Sequence, residues 1–137
     1  MRAVLDHCAG GRETNFPAGK QVICEGETTG RLYVLLDGKL DVVKGGTLVA
    51  SVTEPGSIIG EMSALLGQPH TASVCAVANT KVYEFDDATT FLRSQPNVAL
   101  LVAKVLARRL SDATEYLAEI KRQYATLHGI LQRSQAH

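Results

Sequence analysis

No sign of charge dominates this sequence. Lysine plus arginine equal aspartate plus glutamate at 14 each, so no overall positive field recommends nucleic acid or an anionic membrane as partner. Any anion the chain binds has to be held by local geometry. Long hydrophobic runs are missing too: nowhere do about 18 apolar residues follow one another, the length a bilayer span needs. With 45% hydrophobic and 20% charged residues the composition is that of a soluble globular domain. Residues Met1 to Leu5 lack a continuous apolar region with a small-residue cleavage site, so no secretion signal is expected. Cysteine is sparse and unpaired. Cys8, Cys24 and Cys75 are odd in number, far apart and in no Cys-x-x-Cys pair, which points to reduced thiols in a cytoplasmic protein and to neither a disulfide framework nor a zinc site. At 137 residues the chain has room for one ordinary domain.

What is present falls into two textures. Residues 1 to 11 have weak periodicity and end in Gly10-Gly11, so a short helix or loose leader with little function is expected. From about residue 12 to residue 86 come short β-favouring runs: Gln21 to Cys24, Leu32 to Leu36, Leu40 to Val43, Thr47 to Val52, Ala72 to Val77 and Lys81 to Phe85. Turn signals separate them at Ala18-Gly19, Glu25-Gly26-Glu27, Asp37-Gly38, Gly45-Gly46, Pro55-Gly56 and Asn79-Thr80. Asp37-Gly38 between two strand-like runs predicts a hairpin. Strands this short and this many predict a mainly β fold with helices, a barrel or jelly roll of about eight strands that removes most exposed sheet edges.

From about 87 to 132 the period changes to 3.6. Asp86-Asp87 supply an N-cap, Pro96 interrupts once, and the spacing predicts a short helix near 88–94 and a long one from about 97 to 128. Along the long helix Leu110, Ala113, Leu117, Ile120, Tyr124, Leu127 and Leu131 recur at alternating steps of three and four. That seam outruns what one small barrel covers, which predicts a partner helix in a homodimer; a helix folded back over its own domain is the alternative.

The segment richest in chemistry runs from Ile59 to Val74. Gly60 allows a tight turn at a strand end, Glu61 to Leu66 are helix-compatible, and Gly67-Gln68-Pro69 stop the turn. His70 and Thr71 then lead back into a strand with a cation-capable ring and a hydroxyl. A helix start, a carboxylate, a hydroxyl and an imidazole are the parts for gripping one anionic ester.

This segment resembles the phosphate-binding cassette of the cyclic-nucleotide-binding domain family, found in catabolite-activator-type regulators, kinase regulatory subunits and nucleotide-gated channels. Gly60-Glu61, Ala64-Leu65-Leu66, Pro69 and Thr71-Ala72 hold the cassette's places in order. Phe16-Pro17-Ala18-Gly19 and Glu25-Gly26-Glu27 resemble the family's lead into the barrel, and Leu32 to Leu35 with Asp37-Gly38 its central hairpin. The resemblance covers roughly residues 12 to 120. It implies a cyclic nucleotide, cAMP or cGMP, as regulatory ligand, with no other cofactor and no metal. It also implies that backbone N–H groups of Gly60 to Met62, with Ser63 and Ala72 alongside, hold the cyclic phosphate, and that Glu61 accepts from the ribose 2′-hydroxyl. Thr71 would contact the phosphate or a guanine edge, and Thr114 would lid the purine. The chain departs from the family at His70, where the family has its phosphate-gripping arginine. Histidine is charged only in part near neutrality and offers no planar fork of donors. The loss of such a contact predicts binding weaker by about 1.5 to 3 kcal/mol.

Two functions follow. In one, the domain is a non-enzymatic sensor that binds nucleotide and signals through its C-terminal helix. In the other, it is a degenerate member acting as a dimerisation scaffold. A cupin-type enzyme, which also uses a jelly roll, would need converging histidines, whereas His7, His70, His128 and His137 lie in a leader, a cassette, a helix end and the terminus. The chain stops within its helical tail, where the family's transcription factors continue into a helix-turn-helix, so direct DNA reading is not expected.

Overall fold

The computed structural model describes residues 2–8 and 10–135; Met1, Ala9, Ala136 and His137, the last of the four histidines above, lie outside the described residues. Two compact units divide the chain, one up to Leu101 and one from Val102.

The first unit holds eight strands: β1 (Arg12–Phe16), β2 (Gln21–Ile23), β3 (Leu32–Asp37), β4 (Leu40–Lys44), β5 (Thr47–Val52), β6 (Ile58–Ile59), β7 (Ser73–Ala76) and β8 (Thr80–Phe85). Helix α1 (Glu61–Leu66) stands between β6 and β7, and α2 (Ala88–Ser94) follows β8. The strands make two four-stranded antiparallel sheets, ordered β1-β8-β3-β6 and β2-β7-β4-β5. This is a jelly-roll sandwich and not a closed barrel, so its outer strands remain edges. Side chains of both sheets share one core of Ile23, Tyr33, Leu35, Leu40, Ile59, Val74, Ala76 and Val82. Alternation along β7 shows why: Val74 and Ala76 are buried while Ser73 and Cys75 are half exposed.

The turn at Asp37-Gly38 is present, but the hairpin expected there is not. β3 pairs with β6 and β8, whereas β4 pairs with β5 and β7, so this turn carries the chain from one sheet to the other. Thr80 holds the corner. Its Oγ1 accepts from the Lys39 N–H at 3.2 Å and lies 3.1 Å from the Lys39 carbonyl. Gly38, at φ 112°, approaches so closely that a Cβ would meet Thr80 Oγ1 at 2.5 Å. The true hairpin is β4–β5, turned by Gly45-Gly46 with both φ values positive, as its twist demands.

The N-terminal leader takes the helical of its two expected forms. Arg2–His7 form a 3-10 helix set against β3, and Val4 is fully buried. Cys8 donates from Sγ to the Val4 carbonyl at 3.3 Å, and burial pushes its thiol pKa up to about 11, which makes it inert. After β8, the Asp87 carboxylate accepts the Thr90 N–H at 3.1 Å and caps α2, whose Phe91 stacks on Phe85 at 3.8 Å.

Helix α3 (Pro96–Gln135) begins in the first unit, with proline in the first turn where its missing N–H costs nothing. The second unit is the rest of this helix. Within it Leu110, Leu117, Ile120, Tyr124, Leu127 and Leu131 are all exposed. Among the described residues no helix is long and apolar enough to cross a membrane.

Candidate functional site

The geometry of the cassette starts from Gly60. At φ 88° and ψ 3° it is left-handed, a conformation that only glycine adopts without strain. A Cβ there would lie 2.9 Å from the Arg31 carbonyl oxygen, which is backbone and has no room to yield. The turn lets β6 end at Ile59 and α1 start at Glu61 with no residue between them except the glycine. Glu61 is buried at that start. A second left-handed glycine, Gly67 at φ 63°, ends α1 and returns its N–H to the Ser63 carbonyl. Ser63, also buried, donates its hydroxyl to the Gln68 carbonyl in a short bond. Its side chain thereby ties α1 to the loop that follows it.

The chain then passes Pro69 and meets the β2–β3 loop. The His70 N–H donates to the Glu27 carbonyl at 2.8 Å, and the Gly26 N–H donates to the His70 carbonyl at 2.8 Å. This two-way pairing fixes the backbone. The imidazole, only 5% exposed, turns inward; its Cε1 would be 3.7 Å from a Cβ on Gly60. Its Nε2 stands 3.0 Å from Thr29 Oγ1, which also accepts the Arg31 N–H at 3.2 Å. Burial lowers the His70 pKa from its ordinary value, and the Glu27 carboxylate opposes that shift. At neutral pH the ring is therefore neutral, further from a standing cation than an exposed histidine would be.

Arg31 is a guanidinium close along the chain, and it is engaged elsewhere. It lies 3.6 Å from the Glu84 carboxylate and 3.7 Å from Asp86. Glu84, 8% exposed, also takes Arg12 at 3.1 Å and the Thr14 hydroxyl at 3.2 Å. These bonds tie β1, β8 and the start of β3 into one plate beside the cassette.

Of the residues singled out in the sequence, Glu61, Ser63 and His70 are buried, and Gly60 lies against the His70 ring. Met62 is half exposed on α1, Thr71 is exposed and Ala72 half-buried on the way into β7. Thr114 lies in the second unit, exposed, with its hydroxyl donated to the Leu110 carbonyl of its own helix at 2.8 Å. Thr29 went unnoticed in the sequence, and Glu27 was read there only as part of a turn and of the lead into the barrel. Thr29 reaches His70 across a 41-residue separation, which no local pattern announces. Among the described residues no group of three or more His, Cys, Asp or Glu side chains could hold a metal ion.

Comparison with known proteins converges on this region. A family model described as the cyclic nucleotide-binding domain matches residues 13–93. The CRP-like cAMP-activated global transcriptional regulator of Mycobacterium tuberculosis is 29% identical over 112 residues, covering 77% of this chain and 50% of that protein. The cyclic AMP receptor protein of Thermus thermophilus is 32% identical over 104 residues, covering 72% of this chain and 48% of its own length. The crystal structure of the Thermus thermophilus catabolite activator protein superposes with a TM-score of 0.76 at 29% identity, over 88% of this chain and 60% of that one. The chain thus spans about half the length of these curated relatives.

Proposed function

Because the chain belongs to the cyclic nucleotide-binding domain family, a family of regulatory modules, we propose that it is a non-catalytic sensor that takes cAMP or cGMP at its cassette. The observation that carries this reading is the left-handed Gly60 that starts α1 and buries Glu61 at the helix's first residue. In this reading Glu61 accepts from the ribose 2′-hydroxyl, the N–H groups of Gly60 to Met62 face the cyclic phosphate, and Thr71 and Ala72 border it. Thr114 contributes a lid from the C-terminal helix. Cyclic nucleotide binds weakly, since a buried neutral His70 offers one directional hydrogen bond where an arginine offers charge and two.

The signal leaves through α3. Six exposed apolar side chains at heptad spacing support a homodimer in which the helices of two copies pair. The work of such a module is cytoplasmic and needs no direct contact with nucleic acid.

A second reading, a scaffold that binds no nucleotide, is favoured by one observation: the Nε2 of His70 is already satisfied by Thr29. Thermal unfolding with and without cAMP or cGMP separates the two. A ligand at a hundred times its dissociation constant stabilises the folded state by about 2.7 kcal/mol and shifts the midpoint upward. No shift at millimolar ligand, at pH 6 as well as pH 7.5, would replace the sensor by the scaffold.

A further inference from the structure

We propose that Arg31 brings positive charge to the cyclic phosphate, turning from Glu84 and Asp86 to the bound ligand while Arg12 keeps those two carboxylates. The proposal rests on the reading of the cassette as a nucleotide site and assigns to that site a residue from outside the cassette.

Position comes first. A Cβ placed on Gly60 would lie 2.9 Å from the Arg31 carbonyl oxygen and 3.7 Å from His70 Cε1, so Arg31, Gly60 and His70 meet at one point. Thr29 joins them. Its Oγ1 accepts the Arg31 N–H at 3.2 Å and stands 3.0 Å from His70 Nε2. Just beyond, Tyr33 pairs with Ile59 and Val34 with Ile58, which fixes the Arg31 backbone against the cassette. The side chain is held less firmly.

Its guanidinium is 48% exposed and approaches Glu84 at 3.6 Å and Asp86 at 3.7 Å, both beyond hydrogen-bond distance. It also meets the Tyr33 hydroxyl, a neutral partner. Arg12 holds the same two carboxylates at 3.1 and 3.4 Å, and the Thr14 hydroxyl adds a bond of 3.2 Å to Glu84. Departure of Arg31 therefore leaves neither carboxylate without a cation. Two arginines share one acidic pair, and the more loosely held of them is the one beside Gly60 and His70.

Other charges bear on the site. Residues 45 to 80, which supply β5, β6, α1 and β7, contain neither lysine nor arginine, so a guanidinium reaches the phosphate only from another element. Glu61 and Arg109 each have an interaction of their own. Arg93 is exposed on α2, which packs against α1; the Asp87 carboxyl, held below its ordinary pKa first by the Thr90 N–H, also feels the Arg93 charge. A phosphate monoanion loses hydration on entry, and a guanidinium restores charged hydrogen bonds through a planar fork of donors. A charge drawn from an ion pair replaces a resident one only in part, so protonation of His70 still tightens binding.

Isothermal titration of cAMP and cGMP into the full chain at pH 7.5 tests this, with the wild type, Arg31→Gln, Arg31→Lys and Arg93→Gln. For each cyclic monophosphate that the wild type binds, Arg31→Gln should weaken affinity about tenfold, and Arg93→Gln should stay within about twofold. Arg31→Lys should keep most of the affinity, because it keeps the charge. Added sodium chloride should weaken the wild type more than Arg31→Gln, a difference that a merely structural role would not produce. Arg31→Gln within about twofold of the wild type overturns the proposal and leaves the nucleotide reading standing. So does an equal loss in Arg31→Gln and Arg31→Lys, or a loss that falls on Arg93→Gln and spares Arg31→Gln. Silent wild-type titrations overturn the nucleotide reading and the proposal with it. Where Arg31→Gln does not fold, Arg12→Gln decides at an exposed side chain: it leaves both carboxylates to Arg31 and should weaken binding severalfold, whereas unchanged affinity overturns the exchange.

Discussion

Burial of a titratable ring leaves a mark on the protein's stability, and His70 is the residue where that mark is expected. Its folded pKa lies below the ordinary 6.5 because of lost hydration, with Glu27 pulling the other way. Between the folded and the unfolded pKa the unfolded chain binds more protons than the folded one. The contribution is therefore fully present above about pH 6.5 and is lost as pH falls through the folded value. Urea denaturation at pH 7.5 and 5.5 should show a loss of stability on acidification that is smaller in His70→Gln; an identical loss in both proteins would contradict it. The role proposed for Glu61 lies in ligand binding instead. Glu61→Ala should weaken nucleotide by about 1.5 to 3 kcal/mol, the worth of a hydrogen bond to a charged group, and the wild type should bind a 2′-deoxy ligand as weakly as the variant binds the ribo form. Equal wild-type affinity for ribo and deoxy ligands in a titration would remove Glu61 from the ribose. At this scale the sequence speaks for Gly60, Glu61 and His70, which lie within eleven consecutive residues in a recognisable order. It is silent on Thr29, whose partnership with His70 depends on the fold.

Among the elements, α3 makes the most direct demand on a partner. Leu110 is 69% exposed, and Leu117, Ile120, Tyr124, Leu127 and Leu131 are exposed with it. Covering such side chains stabilises an assembly by about 1.5 to 3 kcal/mol apiece at full burial. Sedimentation should find the wild type dimeric and Leu117→Glu/Leu127→Glu monomeric, since two carboxylates in each seam repel and lose hydration. A wild type that sediments as a monomer at high micromolar concentration would reject the helix pair. Helix α3 was legible because its apolar seam repeats from Leu110 to Leu131, and α2 because Asp87 and Pro96 bracket it. β1 was not, since Arg-Glu-Thr-Asn-Phe has no apolar alternation; it is a strand because all five residues pair with β8. β6 is two residues long, too short to carry a pattern.

For the molecule as a whole, composition and turn spacing lead to a jelly roll, while strand pairing had to come from the structure. The Asp37-Gly38 turn shows the limit: a local sequence that favours a hairpin is overridden by Thr80, which holds the corner so that β3 and β4 enter different sheets. The leader shows another, since Val4 is buried although nothing in residues 1 to 11 marks a core position. The central claim is that this fold, with an altered cassette, still holds a nucleotide. It is tested most directly by isothermal titration of cAMP and cGMP into the wild-type chain at pH 8 and at pH 6. Protonation of His70 supplies the positive charge and donor that the site lacks, so binding is expected at both values and should be tighter at pH 6. Heat signals indistinguishable from dilution at pH 6 would contradict the account.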